Sequence, residues 1–83
     1  MTHETMHEKI DVLTAFMKGT LKPLIIKWRG KKYTVEKVHM QYEARDGRET
    51  IHYFSVADNA NYFKLAFYTR SLTWYLEELY SPT

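Results

Sequence analysis

Cysteine is absent from the 83 residues. That excludes disulfides, thiolate metal sites and thiol nucleophiles. It also removes the usual staple of small secreted domains and so points to a reducing, cytoplasmic setting. Glycine is scarce, at Gly19, Gly30 and Gly47 only, and no glycine-rich loop can cradle a phosphate. Serine occurs only at Ser55, Ser71 and Ser81, none of them in a nucleophile-elbow context. No stretch reaches the roughly 18 apolar residues of a membrane helix, so no membrane partner is expected. The N-terminus is polar and mixed in charge, unlike a signal peptide. Repeats, low-complexity tracts and linkers are missing, which leaves residues 1–83 as a single domain.

What the chain has in excess is aromatic surface, 16% of residues including seven tyrosines. Tyrosine suits half-buried strand faces and interfaces, where the ring packs and the hydroxyl stays wet. The surplus fits either a core built from tyrosine or a face that meets a second copy in a homodimer. Net charge is only +2, yet residues 18–37 hold seven basic residues against Glu36 alone. The rest of the chain is correspondingly acidic.

A β-hairpin is written at Lys27-Trp28-Arg29-Gly30-Lys31-Lys32-Tyr33. Gly30 marks the turn, the apolar run Leu24-Ile25-Ile26 feeds in, and Tyr33 and Val35 alternate out. Upstream, Thr5 and Glu8 fit a capping box. Met6, Ile10, Leu13, Phe16 and Met17 recur at helical spacing, with Lys18-Gly19 as a helix ending. The spacing predicts a helix over about 6–18, lying on one face of a sheet. Strands are predicted at about 24–29, 32–43, 49–56 and 62–69, with a bulge near Glu36-Lys37 where the alternation changes phase. Asp46-Gly47 marks a second hairpin. Residues 71–80 fit either a helix or a strand, and the short gap after Thr69 favours the strand. The expected class is α+β, mostly β: an N-terminal helix and about five antiparallel strands over 24–80, in a meander able to curl toward a small barrel.

The pattern Trp28-x-Gly30-x-x-Tyr33-x-Val35-x-x-Val38, followed by Phe63-x-Leu65 and Trp74-x-Leu76, resembles a family of small bacterial domains of unassigned function. Some of these are encoded beside, or fused to, translesion-type DNA polymerases. The resemblance covers about residues 22–80. It implies a link to DNA metabolism and brings no catalytic residues.

Candidate chemistry is thin. His3-Glu4-Thr5-Met6-His7 reads H-E-x-x-H, a zinc-protease spacing that works when both histidines share a helix face. With Thr5 as N-cap, His3 precedes the helix and the two do not share a face, so no metal, cofactor or catalytic residue is expected. His39 and His52 lie on neighbouring strands without a carboxylate of clear register. The basic hairpin remains: Lys27, Arg29, Lys31 and Lys32 could contact a nucleic-acid backbone while Trp28 and Tyr33 stack bases. The same lysines could equally guard an exposed strand edge. The expected function is a non-enzymatic binding or accessory module whose partner is nucleic acid or a DNA-processing protein. The alternative is a structural, homo-oligomeric protein using a tyrosine-rich sheet face.

Overall fold

The computed structural model describes residues 2–82. It holds seven strands: β1 (Thr2–Met17), β2 (Thr20–Trp28), β3 (Lys31–Thr34), β4 (Lys37–Asp46), β5 (Glu49–Ala57), β6 (Tyr62–Tyr68) and β7 (Thr73–Ser81). They form one antiparallel sheet in the order β3-β2-β1-β7-β6-β5-β4. No helix is present among the described residues, so none can cross a membrane. The expected α+β class and the helix at 6–18 are therefore corrected: the protein is all-β, and the segment read as a helix is its longest strand.

The physical reason lies in the pairing of β1. Its first half pairs with β7 from Thr2↔Ser81 to Ile10↔Trp74, and its second half pairs with β2 from Asp11↔Lys27 to Met17↔Thr20. An isolated helix of 13 residues is marginal, whereas these two ladders satisfy the backbone along most of the segment. The helical stripe was an accident of composition. Met6, Ile10 and Val12 share the inward face of one strand, but Glu8 and Thr14 on that same face are polar and bond the indoles of Trp28 and Trp74, which breaks the visible alternation. Leu13 and Met17, assigned to the stripe, are 59% and 65% exposed. Lys18-Gly19 is no helix cap. Both residues have positive φ, 53° and 75°, as do Arg29 and Gly30 at 50° and 78°. Two consecutive positive values are the signature of a type I′ two-residue hairpin.

The remaining strands follow the alternation closely. The expected second strand divides into β3 and β4 at Val35-Glu36, where the chain changes partners. Val35 N donates to Leu24 O of β2, and Glu36 N donates to Ala57 O of β5. A bulge then falls between Val38 and Met40. Residues 73–81 are a strand.

The sheet thus folds over at two corners. β1 carries one layer into the other at Ile10-Asp11, and Val35-Glu36 does the same on the opposite side. One layer holds β4, β5, β6, β7 and the first half of β1; the other holds β2, β3 and the second half of β1. Side chains of alternating parity meet between the layers. Ile26, Phe54, Val56, Leu65 and Leu76 are almost completely buried there. Tyr33 of β3 meets Phe63 of β6 edge-on, with centroids 5.3 Å apart. Both indoles are satisfied from β1: Trp74 Nε1 donates to Thr14 Oγ1 at 3.0 Å and Trp28 Nε1 to Glu8 Oε2 at 2.7 Å.

Candidate functional site

The basic hairpin forms as a hairpin, but its six residues do not share a surface. Trp28 is 8% exposed and belongs to the core, and Tyr33 packs beside it. Neither presents a free ring face for stacking. Arg29 lies over the Trp28 ring at 4.5 Å and donates to Glu8 at 3.1 Å. That bond, with the one from Trp28, holds the Glu8 carboxyl below its ordinary pKa. Lys27, Lys31 and Lys32 are exposed and form no ion pair among the described residues. Lys27 stands opposite Lys32 on β3 and opposite Asp11 on β1, so one carboxylate partly balances this row.

The tyrosines gather elsewhere. In β6 the inward set is Phe63, Leu65 and Phe67, which turns Tyr62, Lys64, Ala66 and Tyr68 outward. Registers carry that face across the layer. Tyr62 opposes Tyr80, Ala66 opposes Tyr53 and Tyr75, and Tyr53 opposes Tyr42. Six of the seven tyrosines therefore stand on the outer face of the five-strand layer, and only Tyr33 points inward. Ala66 lies at the centre of this face and is 0% exposed, because large rings surround it. Tyr42 and Tyr53 stack at 5.1 Å, and Tyr68 meets Tyr75 edge-on at 5.1 Å. The signal was present in the sequence: the residues between the apolar positions of β5, β6 and β7 are aromatic too.

Polar groups tie the face together. His3 stacks on Tyr80 at 4.1 Å and contacts Glu78 at 3.0 Å; His7 stacks on Tyr75 at 4.0 Å and contacts Glu77 at 2.7 Å. Lys64 reaches Glu78 at 3.6 Å and lies over the Tyr53 ring at 5.3 Å. Its pKa is raised, first by the Tyr42 hydroxyl. Partial burial raises the Tyr68 and Tyr80 hydroxyls. Over Ser55, the small residue of this region, the face dips into a groove of about 530 Å³. Met40 and Tyr42 flank it on one side, Tyr62 and Tyr80 on the other.

Glu78 makes this face sensitive to acid. Its carboxyl is held below the ordinary value, chiefly by the hydrogen bond to His3. A depressed carboxylate stabilises the fold above its unfolded pKa, and that contribution is lost as pH falls through the folded value. Stability should therefore decline below about pH 4.3. Glu78→Gln should flatten that decline, as read by thermal melts from pH 6 to pH 3.

The strand geometry also settles where the H-E-x-x-H letters lie. Four residues of strand place His3 and His7 about 13 Å apart, too far to share an ion. Among the described residues no three His, Asp or Glu side chains gather for a metal. His39 and His52 face opposite sides of the layer. His39 lies 5.6 Å from Tyr62 on the outer face. His52 pairs with inward Phe67, and its buried Nδ1 stands 3.9 Å from Glu43 with no hydrogen-bond partner. It lines a cleft of about 800 Å³ at the open end between the layers, with Phe16, Leu21 and Phe67. Comparison with family models, curated proteins and solved structures returns no match.

Proposed function

We propose that this protein is a non-enzymatic interaction module whose working surface is the tyrosine-rich layer, and that its partner is a second copy of the chain. One observation carries the reading: six tyrosines from four strands lie on a sheet face that no other element covers. Charge balance supports the choice of partner. On this face Lys9, Lys37 and Lys64 stand against Asp46, Glu49, Glu77 and Glu78, and Glu77 and Glu78 are already engaged by histidines. A second copy meets little net repulsion there, whereas a polyanion gains no net attraction. A reducing cytoplasm suits a chain without cysteine.

Sedimentation equilibrium from micromolar to millimolar concentration tests this. The expected result is a reversible monomer–dimer equilibrium that Tyr42→Ser weakens at least tenfold, with the β-sheet circular dichroism unchanged. A wild-type chain monomeric throughout would overturn the reading.

The row of Lys27, Lys31 and Lys32 favours a second reading, in which these side chains contact the backbone of a nucleic acid without base stacking, alone or alongside a DNA-processing partner. Like charges set directly opposite, as Lys27 and Lys32 are, weaken a sheet unless an anion answers them. Salt-dependent retention on single-stranded DNA, abolished by the triple alanine variant, would support it.

A further inference from the structure

We infer that the second copy joins along β4, antiparallel across a two-fold axis at Tyr42, extending the five-strand layer to ten strands. This rests on the self-association proposed above and names where the copies meet. The five-strand layer ends in two free edges, β4 and the first half of β1. The β1 edge is broken by its register slip between Thr5 and Glu8. β3, the short edge of the other layer, has four residues and carries Lys31 and Lys32. β4 is different. From Met40 to Asp46 its register with β5 is unbroken, and Val38 to Tyr42 carries no fixed charge. Met40 and Tyr42 are 57% and 40% exposed. An edge that is regular over seven residues, with charges that cancel along the strand, is a template for a further strand.

The hairpin fixes which groups are free. The two-residue loop Gly47-Arg48 makes Asp46 and Glu49 the closing hydrogen-bonded pair. Alternation then turns the amides and carbonyls of Met40, Tyr42 and Ala44 toward β5. Those of Gln41, Glu43 and Arg45 face outward. Two copies can pair only in registers that match outward groups, and charge selects among these. Centring on Glu43 sets two carboxylates opposite each other. Centring on Tyr42 sets Gln41 against Glu43 and Arg45 against His39, with no opposed carboxylates. Tyr42 then meets its own copy at a non-hydrogen-bonded position, where Cα atoms approach to about 4.5 Å. The Tyr42–Tyr53 stacks of both copies line up as one aromatic row across the axis.

The absence of native cysteine makes the test direct. At that spacing two Tyr42→Cys residues are within disulfide reach. In a glutathione redox buffer at a concentration where the wild type dimerises, Tyr42→Cys should convert to covalent dimer, while Tyr75→Cys should form no covalent dimer. Mixing Met40→Cys with Ala44→Cys chains should give covalent heterodimer in preference to either homodimer, since this register sets residue 40 opposite residue 44. If the wild type dimerises but Tyr75→Cys cross-links and Tyr42→Cys does not, the faces stack and the edge pairing is wrong while self-association stands. If neither chain cross-links and the wild type stays monomeric, both fall.

Discussion

Replacing Phe54 with alanine is expected to remove about 3–5 kcal/mol of stability and to lower the melting temperature by roughly 15–30 °C. Phe54 is 1% exposed, sits on β5 between β4 and β6, and packs against Trp74 of β7 at 5.4 Å. Trp74 in turn packs on Phe67 at 4.9 Å. The three rings tie β5, β6 and β7 together beneath the tyrosine face. Truncating Phe54 forfeits its transfer energy and leaves a cavity that flanking strands cannot close, because their hydrogen bonds hold them apart. A small domain has about 5–15 kcal/mol in total, so the variant should lose a large fraction of its stability. A urea melt with an unchanged slope and a lowered midpoint would show it.

The second large effect separates neighbouring residues of one strand. Ile26→Ala is expected to cost about 2–5 kcal/mol and Ile25→Ala less than about 1 kcal/mol. Ile26 is 0% exposed, paired on one side with Val12 and on the other with Tyr33. It is the point where the small layer presses on the large one. Ile25 points the other way, opposite Leu13, itself 59% exposed. If both changes cost the same, β2 does not face the core as described.

Most of the strands could be read directly from the residues. Phe63, Leu65 and Phe67 alternate with Lys64 and Ala66, Asp46-Gly47 marks a hairpin, and Gly30 lies at the tip of another. What failed was the N-terminal segment, and the cause is specific. Polar Glu8 and Thr14 on the inward face of β1, and apolar Leu13 and Met17 on its outward face, leave the apolar residues at a spacing that mimics a helix. The pair Lys18-Gly19 then serves as well for a helix end as for a hairpin, whereas the chemically similar Arg29-Gly30 was flanked by an unmistakable strand. What stabilises β1 is long-range: its partners are residues 20–27 and 74–81, and no local window contains them. The basic hairpin was readable as a turn, but the direction of Trp28 and Tyr33 depends on the layer that folds over them. The tyrosine face was visible as a surplus and became a surface only once the registers of five strands were known.

Cross-strand nuclear Overhauser contacts of the first ten residues probe the heart of this account. Contacts of His3 with Tyr80 and of Ile10 with Trp74, together with extended Cα shifts over residues 3–16, are the expected result. Strong sequential amide–amide contacts over residues 6–18, with the 74–81 strand silent toward them, would contradict it.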